Sequence, residues 1–141
     1  MSDASEVIRR LIEDVYGEGK IELIDELVHE DYVEHPMPEG FSPDREGLKS
    51  FVQALRAALS DMEATVERVV VDGDELAFRW RITGTHSGEF MGIPPSGNRI
   101  ETTGNDVGAM REGKVVERWC EQDMLSLLTQ LGAIDAAPSP T

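Results

Sequence analysis

Residues 84–99 read GTHSGEFMGIPPSGNR, a stretch rich in glycine and proline that separates two runs of alternating apolar and polar residues. Alternation with a period of two is typical of β-strands, whereas glycine and proline are typical of turns and loops. The run at 62–83 contains a turn at Asp72-Gly73-Asp74, and the run at 100–122 contains a turn at 111–114. We therefore predict two β-hairpins that together form a four-stranded antiparallel sheet.

The residues ahead of the hairpins have helical periodicity instead. Apolar stripes predict helices within 7–15, 21–28 and 48–59, with Ser2 or Ser5 capping the first helix and Ser42 or Asp44 capping the third. Residues 31–36 are predicted to be extended, because a residue that precedes proline avoids the helical region. A short helix is predicted at 124–131. Three helices that close the concave side of a curling sheet give an α+β fold.

Length and composition limit the possible classes of protein. A chain of 141 residues fits one domain, predicted at 1–134 with a disordered tail at 135–141. No segment has the run of about 20 apolar residues that a membrane span needs. The formal charge of −15 disfavours nucleic acid and anionic lipid surfaces as partners.

Cysteine and histidine usage exclude two further features. The single Cys120 cannot form an intramolecular disulfide, and it cannot supply a zinc site with paired cysteines. The three histidines are scattered along the chain, so we predict no metal site and no cofactor.

The first residues, MSDASEV, lack the pattern of a signal peptide, and we expect a cytoplasmic protein.

The second hairpin carries the residues of chemical interest. A three-residue turn centred on Glu112 would pair four positions of one strand with four of the other: Met110 with Lys114, Gly108 with Val116, Asp106 with Arg118, and Gly104 with Cys120. Residues opposite each other across such a pair point to the same face. That face could wall a pocket, where the two glycines leave room for a ligand. It could equally face solvent, with Asp106 and Arg118 as a surface ion pair.

Three stretches resemble a known family. Residues 84–99 fit GxHxGxxxGxPPxG, residues 110–119 read MREGKVVERW, and residues 127–132 read LLTQLG. These motifs are similar to those of the SnoaL-like polyketide cyclases, which belong to the nuclear transport factor 2-like superfamily. The resemblance covers nearly the whole chain. It implies a cone-shaped α+β fold, in which three N-terminal helices pack on the concave face of a curved, mostly antiparallel sheet.

The resemblance also implies which faces are used. Asp106, Gly108, Arg118 and Cys120 would turn toward the pocket, and a homodimer would form through the convex face that bears Val107 and Trp119. It does not fix the chemistry, because the superfamily contains cyclases, epoxide hydrolases, isomerases, dehydratases and proteins that only bind.

The chain departs from the cyclases at three positions of the implied pocket. The family's acid/base aspartate corresponds to Cys120, its pocket histidine to Gly108 and its pocket asparagine to Glu34. The ring-closing chemistry of the cyclases is therefore not transferred to this chain.

Four residues remain as candidates for catalysis: Asp106, Arg118, His35 and Glu34. Arg118 would keep Asp106 ionised and make it a base rather than an acid, while orienting the ligand or stabilising an oxyanion. Glu34 and His35 would meet this pair across the cavity mouth. Histidine is the side chain best suited to proton transfer near neutral pH, but His35 could instead cap a turn before Pro36.

Seven further residues are candidates for ligand contact: Cys120, Trp80, His86, Tyr16, Phe51, Met91 and Asp123. The aromatic and methionine side chains would form apolar walls or plain core. Cys120 could be a nucleophile activated by Arg118, but a small apolar filler is the expected role. His86 is expected to hold the 88–97 loop, and Asp123 to cap the helix that follows it.

Two functional hypotheses follow. The first is an enzyme that performs acid/base chemistry, such as cyclisation, isomerisation or hydrolysis, on a small, largely apolar, oxygenated molecule. It requires Asp106 and Arg118 to be buried, within hydrogen-bonding reach and open to a cavity of a few hundred cubic ångströms, on the scale of small-molecule sites. The second is a non-catalytic ligand-binding or dimerisation module, which a filled cavity or an outward-facing pair would favour.

Overall fold

The computed structural model describes residues 3–135, in which four helical segments accompany five strands. The helices are α1 (Ala4–Arg9, continued by a π-helical segment Arg10–Tyr16), α2 (Ile24–Leu27, preceded by a 3₁₀ turn Ile21–Leu23), α3 (Arg45–Ala58) and α4 (Met124–Gln130). The strands are β1 (Val28–His35), β2 (Leu59–Asp72), β3 (Glu75–His86), β4 (Arg99–Arg111) and β5 (Lys114–Gln122). Ser2 and the predicted tail beyond Asp135 lie outside the described residues.

The sheet is curved and open, and its strand order is β1-β5-β4-β3-β2. Both predicted hairpins are present, as β2–β3 and β4–β5. The predicted count of four strands is wrong, because the extended segment before Pro36 forms a fifth strand that pairs in parallel with β5. The fold is α+β with a mostly antiparallel sheet, as predicted.

The helices cover the concave face of this sheet with their apolar stripes. Val7, Ile8, Leu11 and Val15 of α1 and Leu48 and Val52 of α3 are buried. They pack against inward-facing strand residues such as Leu76, Phe78 and Ile82. None of the helices formed by residues 3–135 has the length and apolar character that crossing a bilayer requires.

Side-chain caps set the helix starts. Asp44 accepts from the Gly47 amide at 2.9 Å, and Asp123 accepts from the Ser126 amide at 3.1 Å, so both act as the predicted N-caps. Helix α1 is capped by Asp3, which accepts from the Glu6 amide, and the prediction of Ser5 is wrong. The apolar stripe predicts that Val28 belongs to the second helix, and this is wrong because Val28 begins β1.

The register of β4 and β5 differs from the prediction by two residues. A tight turn at Glu112-Gly113, in which both residues have positive φ, joins Arg111 directly to Lys114, and a bulge follows at Ala109/Met110. Cys120 therefore lies opposite Asp106, and Arg118 lies opposite Gly108. A shift of two preserves the side on which each residue lies, since side chains alternate along a strand. Asp106, Arg118 and Cys120 still share the concave face.

Candidate active site

A cavity of about 310 Å³ lies between the concave face and the helices. Its wall is largely apolar and draws on every layer of the fold: Ile12 and Tyr16 from α1, Phe51 and Leu55 from α3, Trp80 and Ile82 from β3, and Leu127 from α4. Glu34, Asp106, Arg118 and Cys120 form a polar group on the strand side of the same wall. An apolar cavity with a few convergent polar groups is the usual form of a small-molecule site.

Arg118 is the centre of the polar group. It is 4% exposed, and its Nη2 donates to Glu34 Oε1 and to the Tyr16 hydroxyl, each at 2.7 Å. Glu34 Oε1 also accepts from the Tyr32 hydroxyl at 2.6 Å. The guanidinium and the Glu34 carboxylate are thus paired, and each has a tyrosine hydroxyl as a further partner, which is the condition for burying such charges.

The pKa of Arg118 reflects two opposing effects. Burial lowers it, but Glu34, followed by Tyr16, Tyr32 and Asp106, raises it well above its ordinary value. Arg118 is therefore cationic at any physiological pH.

Asp106 is 2% exposed and is held between two donors. Trp80 donates from Nε1 to Oδ1 at 2.9 Å, while Arg118 Nε lies 3.5 Å from Oδ2. The second contact is an ion pair rather than a hydrogen bond, because Nε is left without a hydrogen-bond partner. Asp106 and Arg118 are thus buried and face the cavity. The carboxylate to which Arg118 donates a hydrogen bond, however, is that of Glu34.

The protonation of Asp106 differs from the sequence-based expectation. Arg118 and Trp80 lower the pKa of Asp106, but burial is the larger effect and the pKa is raised above its ordinary value of 3.8. The prediction that Arg118 lowers this pKa is wrong in direction, since desolvation outweighs the charge contact.

The two glycines of β4 do not leave room for a ligand as expected. A Cβ at Gly104 would lie 2.2 Å from Cζ2 of Trp80, so the indole ring occupies this space. A Cβ at Gly108 would meet the Leu76 side chain at 3.6 Å. Neither glycine is among the residues that line the cavity.

Cys120 lines the cavity, but its thiol is not activated. Burial raises the pKa of Cys120 to about 12, the negative charge of Asp106 adds to the effect, and Arg118 lowers it less than these two raise it. The nucleophile is the thiolate, so this residue is a neutral part of the wall, in line with the expected filler.

The structure does not bring His35 to the cavity. Its side chain is 44% exposed on the convex side, where Nε2 contacts Glu117 Oε2 at 2.7 Å and the ring stacks on Trp119 at 5.4 Å. Glu34 and His35 are neighbours in β1, and successive side chains of a strand point to opposite faces. The assignment of both residues to the pocket was therefore wrong for His35.

His86 and Asp123 also lie outside the cavity wall formed by the described residues. His86 is fully buried, and its Nδ1 accepts from the Ser96 amide at 3.1 Å, which ties the 87–98 loop to the end of β3. Asp123 caps α4. Among the remaining candidates for ligand contact, Tyr16, Phe51, Trp80, Met91 and Cys120 all line the cavity.

Some site residues escaped the sequence-based assignment. Tyr32, which holds Glu34, could have been found from its spacing, because positions two apart in a strand share a face. Phe90 and the segment Pro36-Met37-Pro38 line the cavity from loops, where no periodicity points to a face. Within residues 3–135 no group of three His, Cys, Asp or Glu side chains converges in a way that would hold a metal ion.

The family model of the SnoaL-like polyketide cyclases matches residues 6–131. A comparison with proteins of curated function gives no significant match. Among solved structures, IdmH of Streptomyces antibioticus, a proposed polyketide cyclase, is 37% identical with a TM-score of 0.79, over 93% of this chain and 99% of that one. TsrD of Streptomyces laurentii is 26% identical with a TM-score of 0.85, over 95% and 100%.

A third similar structure has a different proposed activity. AclR of Streptomyces galilaeus, a proposed hydroxylase, is 26% identical with a TM-score of 0.75, over 89% of this chain and 79% of that one. The chain is thus similar to proteins with more than one proposed chemistry.

Proposed function

Because the chain belongs to the SnoaL-like polyketide cyclase family, we propose that it is an enzyme that moves protons on a small, largely apolar, oxygenated molecule bound in the cavity. The observation that carries this proposal is the buried contact of Asp106 with Arg118 on the wall of an otherwise apolar cavity of about 310 Å³. Cyclisation, isomerisation and hydrolysis of such a molecule all need a proton carrier next to a group that stabilises developing negative charge.

Asp106 is the proton carrier in this proposal. Its raised pKa brings a carboxyl group closer to the pH at which it can exchange a proton in both directions. Glu34 does not compete for the role, since it is bound by both Arg118 and Tyr32. Glu34 therefore fixes the guanidinium rather than carrying the proton.

Arg118 and Tyr16 stabilise the oxygen of the ligand. Arg118 stays cationic on the wall of the cavity. The Tyr16 hydroxyl accepts from Arg118, so its own proton is directed away from the guanidinium. Buried donors normally have an acceptor, and a carbonyl or hydroxyl oxygen of the ligand would supply it. Phe51, Trp80, Met91 and Cys120 provide the apolar part of the wall.

The shared step of these reactions can be tested with a simple ketone. 2-Tetralone is small and apolar, and the exchange of its α-protons in D₂O, followed by proton NMR, reports proton transfer next to a carbonyl. We expect the protein to accelerate exchange, and Asp106→Asn to abolish the acceleration. His35→Ala serves as control, because His35 lies on the opposite face of the sheet.

Two results would argue for the non-catalytic module instead. One is binding of 2-tetralone, detected as a thermal shift, without any acceleration of exchange. The other is an unchanged rate in Asp106→Asn.

A homodimer through the convex face is a separate proposal. A row of exposed residues crosses four strands in register: Val70 on β2, Ala77 on β3, Val107 on β4 and Trp119 on β5. Val70, Val107 and Trp119 are 54%, 46% and 42% exposed. A contiguous apolar row on an otherwise charged face is typical of an interaction surface, and a second copy of the chain would bury it.

A further inference from the structure

We propose that Trp80 is a positioning residue that fixes the carboxyl group of Asp106 for proton transfer, and that Gly104 provides the space this requires. The inference rests on the function proposed above, in which Asp106 carries the proton.

The strand register explains the contact. Trp80 on β3 is directly opposite Gly104 on β4, and Asp106 is two residues further along β4 on the same face. A diagonal neighbour of this kind is within reach of a large aromatic side chain. The indole ring therefore has to cross the position of Gly104 to reach the carboxyl group.

Gly104 is the position that permits this crossing. A Cβ at 104 would lie 2.2 Å from Cζ2 and 2.5 Å from Cε2 of Trp80, closer than non-bonded carbon atoms come. Gly104 has an ordinary strand conformation, since it is absent from the positive-φ glycines of the chain. The requirement for glycine here comes from the indole ring and from the Glu121 carbonyl oxygen, which a Cβ would approach to 2.9 Å, and not from the backbone conformation of Gly104.

The contact also distinguishes the two oxygens of Asp106. An indole N–H is a donor only, so the oxygen that it contacts, Oδ1, must offer a lone pair. The hydroxyl oxygen of a protonated carboxyl group is the weaker acceptor, so in this proposal the exchanged proton is carried on Oδ2. Oδ2 lies 3.5 Å from Arg118 Nε, beside the group that stabilises the oxygen of the ligand.

Nuclear magnetic resonance on the ligand-free protein tests this role. The chain has two tryptophans, so Trp119→Phe leaves Trp80 as the source of a single indole N–H signal. In this variant we expect that signal and the carboxyl carbon of Asp106 to titrate with the same midpoint. Different midpoints, or an indole signal that does not respond to pH while Asp106 titrates, would overturn the proposal.

Two substitutions extend the test. Trp80→Phe removes the donor, and Gly104→Ala keeps both partners but takes the space of the ring. The indole N–H favours the ionised carboxylate, so each variant should move the Asp106 midpoint upward by at least several tenths of a pH unit. Trp119→Phe, the same aromatic replacement on the convex face, should leave it in place. An unchanged midpoint in whichever of the two variants folds counts against the role of Trp80, as does an equal shift in Trp119→Phe.

These measurements use no substrate, so they are independent of the proposed reaction. A shared midpoint in a protein that never accelerates proton exchange would leave the role of Trp80 intact and refute the enzyme. If Trp80→Phe still accelerates exchange and its pH profile is unshifted, the proposed enzyme stands and the role of Trp80 is refuted.

Discussion

Arg118 donates to Glu34 at 2.7 Å, and each side chain is 4% exposed. The pair joins β5 to β1, the two strands that run parallel, and it supplies one wall of the cavity. A buried ion pair of this kind is a weak source of net stability, but removing one partner leaves the other charge buried and unpaired.

This relationship predicts an asymmetric response to mutation. Arg118→Met removes the only guanidinium that contacts Glu34 and Asp106 among the described residues, and we expect it to lower the free energy of unfolding by about 3–5 kcal/mol. Glu34→Gln keeps an oxygen that can accept from Arg118 and Tyr32, so we expect a smaller loss of about 1–2 kcal/mol. Urea unfolding measures both. Equal and small losses would contradict the importance of the pairing.

The raised pKa of Asp106 predicts a pH dependence of stability. A carboxyl group whose pKa is higher in the folded than in the unfolded protein holds its proton more tightly when folded. Its contribution is fully present below the unfolded pKa of about 3.9 and is lost as the pH rises through the folded pKa. Asp106→Asn cannot ionise, so its stability should increase relative to the unmodified protein as the pH rises from about 4 toward neutrality. Urea unfolding of both proteins across this range measures the difference, and a constant difference would show that the pKa is not raised.

Periodicity predicts the local elements of this architecture but not the pairing of distant strands. The stripes of α1 and α3 and the alternation of β3 depend on local spacing, so their positions follow from the sequence alone. The parallel pairing of β1 with β5 joins residues more than 80 positions apart in the sequence, and no turn between them indicates the pairing. The register of β4 and β5 is set by a two-residue turn and a bulge. The residues at 111–114 are compatible with a two-residue and with a three-residue turn, so the sequence did not distinguish the two registers.

The site shows the same division. Alternation placed Asp106, Arg118 and Cys120 on one face, and the family resemblance oriented that face inward, as the structure has it. The protonation of Asp106 could not be predicted, because it depends on how far burial outweighs one charge contact. Strand alternation is enough to exclude His35 from the pocket, since it follows Glu34 directly in a strand and points the other way.

Cys120 should be nearly inert toward thiol reagents in the folded protein. A rise of its pKa from 9.0 to about 12 lowers the thiolate fraction at pH 8 by about a thousandfold, and the thiolate is the reactive form. We expect iodoacetamide to label the folded chain very slowly and the chain in urea at the rate of a free cysteine, as followed by mass spectrometry. Labelling at similar rates in both conditions would show that the thiol is accessible and ionised.

The convex row predicts which substitution dissociates a dimer. Trp119→Lys places a charge in the middle of the proposed interface, and we expect it to convert a dimer to a monomer in sedimentation velocity. Leu125→Lys is the matched control, since Leu125 is 55% exposed but lies on α4, away from this face. A monomeric unmodified protein would remove the proposal, and dissociation by both variants would show that the convex row is not specific.

His86 should control the order of the loop that closes one side of the cavity. Its Nδ1 accepts from the Ser96 amide, and its backbone pairs with Asn98 and Gly97, so one buried residue fixes the far end of the 87–98 loop. Phe90 and Met91 of that loop line the cavity. In His86→Ala we expect faster hydrogen exchange at the amides of Ser96 and Gly97, measured by NMR or mass spectrometry, because the side-chain acceptor and the packing of the ring are both lost.

His29 provides a control of the same chemistry for this loop prediction. It is also buried, and its Nδ1 accepts from the Asp31 amide at 3.0 Å, but it lies at the start of β1. His29→Ala should accelerate exchange near Asp31 and leave the 87–98 loop unchanged. If both variants accelerate exchange in the loop to the same extent, the effect comes from a general loss of stability. If neither does, Ser96 is held by its neighbours in the loop and the imidazole of His86 is dispensable.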